Sequence, residues 1–283
     1  MTILKDFYER PRREKKRARR TQQGWVNDLT LLEGEAPVYR PDSRAAREAL
    51  ERPGEVLFIG DWIDMVFLHL EVDPEALQEV VPLKLDCWKG RAFVSLVAFT
   101  MRGMRPALGG NWTKWLVKPI GTHQFVNLRT YVVNRGEAGI YFMKEWVNNR
   151  LAATLGPLTY SLPYHYSKIV HDHEGLCPTG SVKTEDAELR YGGGHLMEYT
   201  TAEPGTEEEF LFERYTAFAS ARGLRRFRVW HRPWKISELI DPVLEETSLL
   251  DRLGQGWTKT LRLVSGHHTH GVKGVQMGRP ERA

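Results

Sequence analysis

The chain has 283 residues, 41% hydrophobic and 11% aromatic, enough for a sizeable core in one large β-rich domain or two ordinary ones. Its charge of +4 is lopsided: residues 1–20 hold nine Lys or Arg against Asp6, Glu9 and Glu14, a net +6, so everything after them sums to −2. Two isolated cysteines, Cys87 and Cys177, argue against a disulfide scaffold and fit a reducing cytoplasm, and no apolar run reaches bilayer length.

In chain order, residues 1–23 are expected to form a basic, self-repelling tail that is flexible, or a solvated helix at most. It opens Met-Thr-Ile-Leu and turns at once to charge, without the apolar stretch of a signal peptide. Two roles suit it, a weak contact with nucleic acid or anionic lipid, or a solubilising extension. Residues 24–54 read as an irregular extension with a short helix over Ser43–Arg52, ended by Pro53-Gly54.

Residues 55–283 read as a single domain. Extended runs are predicted at Val56–Ile59, Met65–Val72, Ala92–Met101, Phe125–Val133, Gly139–Phe142, Glu188–Tyr191, Phe210–Ala219 and Arg225–Trp230, from two-residue alternation and β-branched or aromatic enrichment. Asp73-Pro74-Glu75 caps a helix over Pro74–Val81. Further helices are predicted at Lys144–Leu155, stopped by Gly156-Pro157, and at Ser237–Leu253, where Pro242 starts or kinks the helix. Many strands with a few short helices imply an α+β fold, mainly antiparallel, built round a curved or closed sheet.

The stretch Val126–Val133 carries the most chemistry. If it is a strand, Val126, Leu128, Thr130 and Val132 share one face, and Asn127, Arg129 and Tyr131 share the other. Facing a cavity, that second row makes an anion or carbonyl binder, because guanidinium holds carboxylate in a two-pronged fork. On a water-facing strand it means nothing.

A set of motifs in fixed order resembles the YqjF-like family of uncharacterised bacterial proteins. They are the segment Met65–Trp88, the run from Gly90 to Phe99, Asn127–Val132, Gly139–Phe142, Leu162-Pro163-Tyr164, Phe212-Glu213-Arg214-Tyr215 and His231-Arg232-Pro233-Trp234. That family is similar to the acetoacetate decarboxylase superfamily, which implies a cone-like, largely antiparallel β-barrel with a central cavity. In acetoacetate decarboxylases a lysine with a depressed pKa forms a Schiff base with a keto acid. Those lysines follow a proline in a segment resembling Leu162–Tyr166, but here Tyr164 and His165 follow Pro163. The resemblance therefore implies the pocket without that amine.

Arg129 is the expected ligand anchor, with Asn127 and Tyr131 as orienting donors. A buried arginine needs a partner, either a ligand carboxylate or Glu213, which as part of a strand shares a face with Tyr215. Glu145, in the first turn of the helix read at Lys144–Leu155, is either an acid–base group or a complement to the helix dipole. Tyr164, His165 and Glu213 are the candidate proton handlers, with Tyr215 beside them.

His69 reads as a core or rim histidine. His231 stands at a strand exit, with Trp230 and Trp234 closing one end of the barrel core. His267-His268-Thr269-His270 is the one metal-like pattern, but it lacks companions at telling spacing and reads as an exposed turn before Gly271, so no metal or cofactor is expected. Gly192-Gly193-Gly194 reads as a hairpin connection. The function expected is a cavity for a small carboxylate- or carbonyl-bearing molecule, in a lyase- or hydratase-type enzyme without Schiff base or metal. A non-catalytic sensor or carrier, and a scaffold whose tail contacts nucleic acid or membrane, are the alternatives. A homo-oligomer is compatible with either.

Overall fold

A computed structural model of the chain describes residues 54–109, 117–253 and 256–283. The basic tail, the extension and the helix read at Ser43–Arg52 lie outside the described residues, apart from Gly54.

Where large apolar residues occupy both faces of an extended segment, the chain forms long strands covered on both sides. In order, the elements are β1 (Val56–Val72), α1 (Pro74–Gln78), β2 (Lys84–Leu85), β3 (Ala92–Pro106), β4 (His123–Asn134) and β5 (Glu137–Val147). There follow α2 (Arg150–Tyr160), β6 (Tyr164–Tyr166), β7 (Lys168–Asp172), β8 (Thr179–Lys183), β9 (Glu188–His195), β10 (Thr200–Thr201) and α3 (Glu207–Phe212). The chain ends with β11 (Thr216–Ala219), β12 (Arg225–Trp230), β13 (Lys235–Glu245), α4 (Ser248–Asp251), β14 (Arg262–Gly278) and β15 (Glu281–Arg282).

Strands β12, β11, β5, β4, β3, β1 and β14 lie side by side in that order. The sheet closes because the C-terminal part of β14 pairs back onto β12, Val229 opposite Met277 and Trp230 opposite Gln276. The earlier part of β14 pairs instead with β13, which leads to β9, β8 and β7 as a flap outside the ring. The result is a cone-like ring, mainly antiparallel, in which β11 runs parallel to β5.

Two apolar clusters occupy the two sides of this sheet. Met65, Phe67, Val97, Phe99, Phe125 and Phe142 point inward with Phe212 and Trp234. Their alternates Val66, Leu68, Leu96, Ala98, Val126 and Leu128 point outward, under Leu77, Leu249 and Trp257.

Three segments differ from the local reading of the sequence. Lys144–Val147 belongs to β5, not to a helix, because it pairs with β4 on one edge and β6 on the other. The helix begins only at Arg150, where Asn149 accepts from the Ala152 amide at 2.9 Å, and it runs through Pro157 to Tyr160. Ser237–Glu245 is strand: Ile236, Ser237 and Leu239 are buried, and Pro242 is accommodated at an irregularity where Asp241 has φ +47°. Conversely, Glu207–Phe212 is helical, not extended. Thr206 accepts from the Glu209 amide and the Glu209 carboxylate accepts from the Gly205 amide, a reciprocal cap.

The glycine run is strand interior. A Cβ at Gly193 would sit 3.2 Å from the backbone of Pro242, and one at Gly192 would sit 3.1 Å from Thr179, so close strand approach requires the missing side chains. His267 and His268 are buried within β14, not in an exposed turn, and β14 continues past Gly271 because that residue adopts φ +90° against Trp62.

Candidate functional site

Each ring strand contributes a wall to one interior cavity: Met65 of β1, Val97 of β3, Arg129 of β4, Phe142 of β5, Ala217 of β11, Val229 of β12 and Met277 of β14. Its free space is about 50 Å3, enough for a few waters or the equivalent part of a small ligand. Most of the lining is apolar. The polar exceptions lie close together.

Asn127, Arg129 and Tyr131 share the inward face of β4 and are all buried. Glu145 stands directly opposite Asn127 across the β4–β5 pair, and Tyr164 of β6 stands opposite Glu145. Three neighbouring strands thus carry Asn127, Glu145 and Tyr164 abreast along the cavity wall.

A one-residue bulge makes this alignment. Leu128 pairs with Lys144 and Arg129 with Phe142, so Met143 is surplus and the alternation of β5 changes phase. Ile140 and Phe142 point inward before the bulge, Glu145 and Val147 after it. Lys144 is turned outward, where its ammonium donates to His165 Nε2 at 2.9 Å.

The electrostatics are unusual for a core. Arg129 has no carboxylate partner among the described residues, and its Nε is buried without a hydrogen-bond acceptor. Its guanidinium lies 5.4 Å from the centre of the Phe67 ring. Arg214 also lines the cavity, paired with Asp86 at 2.7 Å and donating to the Phe210 carbonyl.

Burial pushes the Glu145 carboxyl well above the ordinary carboxylate range. Its Oε2 and the Oδ1 of Asn127 are buried and unpartnered. Burial, then the neighbouring Glu145 and Tyr160, raise the Tyr164 hydroxyl well above its usual value. The cavity therefore places guanidinium charge near acids whose ionisation burial disfavours.

The remaining candidate residues are distributed around this wall. Tyr131 does not line the cavity: its hydroxyl donates to the Leu211 carbonyl at 3.2 Å and is bonded to Ser95, which is bonded to His69 Nδ1. Glu213 does not pair with Arg129. It follows α3, off any strand, and accepts from the Tyr215 hydroxyl, whose ring stacks on the cavity-lining His231 at 4.5 Å. Burial raises the Glu213 carboxyl to about 7. His165 is exposed on the outer side, held by Lys144 and by donation to the Pro163 carbonyl at 2.9 Å.

Arg214 was not among the expected site residues. Read as strand, Phe210–Ala219 sends Arg214 to the face opposite Glu213 and Tyr215. The cap signal Thr206-x-x-Glu209 marks the helix that carries Arg214 to the cavity instead.

Among the described residues no group of His, Cys, Asp or Glu is arranged to hold a metal ion. No lysine among them lines the cavity.

A family described as an uncharacterized conserved protein, DUF2071, matches residues 60–267. The chain belongs to the DUF2071 family. It is 29% identical over 181 residues to the uncharacterized protein YqjF of Bacillus subtilis strain 168, covering 61% of this chain and 72% of that protein. Among solved structures, the DUF2071 chain is similar to the acetoacetate decarboxylase of Legionella pneumophila, with TM-score 0.58 and 14% identity over 94% of this chain and 98% of that one. It is also similar to the enduracididine biosynthesis enzyme MppR complexed with pyruvate, with TM-score 0.56 and 14% identity over 88% and 93%. At these identities the likeness establishes the acetoacetate decarboxylase-like fold of the DUF2071 chain. No helix among its described residues is long and apolar enough to cross a membrane.

Proposed function

We propose that the ring cavity binds a small organic acid or carbonyl compound whose negative group is received by Arg129. The observation that supports this reading is a buried guanidinium, without a carboxylate of its own, facing free space beside neutral Glu145. An unpaired buried charge is costly, and a bound carboxylate removes that cost through charge-assisted hydrogen bonds. Asn127 and Arg214 orient the guest from either side.

In the enzymatic form of this proposal, Glu145 is the general acid. Kept protonated by burial, it delivers a proton to a carbonyl or leaving oxygen held at Arg129, and Tyr164 donates a hydrogen bond to the same oxygen. This is lyase- or hydratase-type chemistry through protein acids. A Schiff base has no cavity-lining lysine to form on among the described residues. The same absence favours a second reading, a carrier or sensor that binds the acid and releases it unchanged.

Calorimetry and thermal shift with pyruvate, acetate and other small carboxylates test the binding step. Millimolar ligand is expected to raise the melting temperature. Arg129→Met is expected to weaken binding at least about 100-fold, the scale of a buried charge-assisted pair. The empty variant should melt above the wild type, because a hydrophobe replaces an uncompensated charge. Equal affinity of the two proteins would end the proposal.

A further inference from the structure

A second chamber adjoins the first. It lies under α2, holds about 130 Å3, and shares Met101, Phe125, Leu162, Tyr164, Phe227 and Met277 with the ring cavity as a common wall. Its other walls are mainly apolar: Phe58, Met104, Ile120, Ala152 and Leu155. The charged groups of the inner cavity, Arg129, Arg214 and Glu145, are absent from its lining, and its one histidine, His123, is held uncharged at neutral pH by burial.

The division is therefore chemical as well as spatial. The inner chamber takes charge and hydrogen bonds, while the outer one takes hydrocarbon. Apolar cavities on the order of 150 Å3 accept guests the size of benzene.

Tyr164 forms part of the partition. Its ring lies against Gly156 of α2, where a Cβ would come within 2.3 Å, and edge-on to Phe125 at 5.5 Å. The missing side chain at Gly156 lets the Tyr164 ring approach the helix this closely. The outer chamber reaches the surface beside exposed Thr159 and half-buried Leu155.

We infer that the ligand is an amphipathic acid, with its carboxylate or carbonyl head at Arg129 and an apolar tail that passes Tyr164 into the chamber under α2. The inference rests on the anion-binding reading above and adds the tail. A head group alone leaves the outer chamber empty. A tail of several carbons fills it, and each methylene taken from water tightens binding about fourfold.

The test is a series of straight-chain monocarboxylates from acetate to decanoate, titrated calorimetrically into the full chain. The dissociation constant is expected to fall about fourfold per added carbon until the chamber is filled, then level off. Ala152→Phe fills the outer chamber from its wall and should abolish this gain while leaving acetate and pyruvate binding unchanged. Leu155→Phe serves the same purpose if Ala152→Phe does not fold. Affinity independent of chain length, with short acids still bound and lost in Arg129→Met, would overturn the tail while sparing the anion site. No binding at any length would overturn both.

Discussion

Two regions of this molecule bury several titratable side chains each, and they differ in what surrounds them. In the ring cavity, Arg129, Asn127 and Glu145 face free space with polar atoms unpartnered. At the seam between the flap and the ring, histidines pack against one another instead. His171 stacks on His173 at 4.4 Å, His195 on His268 at 4.6 Å, and His268 meets His270 edge-on at 5.4 Å.

Hydroxyls and backbone serve three of these histidines, while both ring nitrogens of His171 are buried without a hydrogen-bond partner. Tyr191 bonds His173 and Tyr199 bonds His268, each within 2.9 Å, while His173 donates to the Asp64 carbonyl and His195 to that of Gly175. Rings stacked on one another make a joint. A guanidinium without a carboxylate partner beside free space is what the proposed binding function rests on. Burial of ionisable groups alone does not distinguish them; the surplus of charge over partners does.

Acidification should expose the difference most strongly. Burial lowers His171 to about 2 and His268 to about 3, with like-charged histidine neighbours adding to the shift, and lowers His173 as well. Each folded value lies below the unfolded one, so the stability these rings contribute is complete above pH 6.5 and is lost as pH falls toward those values. Each histidine contributes a slope of about 1.4 kcal/mol per pH unit in that window. Denaturant melts between pH 7 and 4 should show a steep decline, and His171→Phe should remove one histidine's share of it.

Glu213 should give the opposite slope. Its folded pKa of about 7 exceeds the unfolded 4.5, so the folded state holds the extra proton and stability falls as pH rises from 4.5 through 7. Glu213→Gln should abolish that decline, worth roughly 3 kcal/mol across the window. Parallel pH profiles for the two proteins would remove Glu213 from the set of neutral buried acids.

The smallest effect is expected at the outer pair. Lys144 and His165 meet at the surface, so Lys144→Ala should change stability by about 0.5 kcal/mol or less and leave carboxylate binding unaltered. A loss of binding in that variant would bring the amine into the cavity's chemistry.

Much of the ring was legible from periodicity. The inward row of Asn127, Arg129 and Tyr131 follows from alternation in Val126–Val133, and the α1 cap follows from Asp73-Pro74. What periodicity hid was long-range. Nothing local says that Lys144–Val147 will be held between β4 and β6, so the helix-forming reading of that segment misassigned Glu145. Ser237–Glu245 reads helical for the same reason, although β9 and β14 hold it extended. The glycine run looks like a turn until the approach of Pro242 is known. Arg214 was hidden by a cap overlooked in favour of an aromatic run.

The surplus Met143 has a consequence for how such a scaffold changes its trade. Strand alternation is binary, so whether an ammonium or a carboxyl faces the cavity on this edge depends on one residue's worth of slippage. Straightening the strand with Met143 kept would turn Lys144 inward and Glu145 outward, whereas deleting Met143 would leave Glu145 opposite Asn127. Carboxyl and amine stand as next-door neighbours in the chain, and backbone geometry chooses which of them faces the cavity.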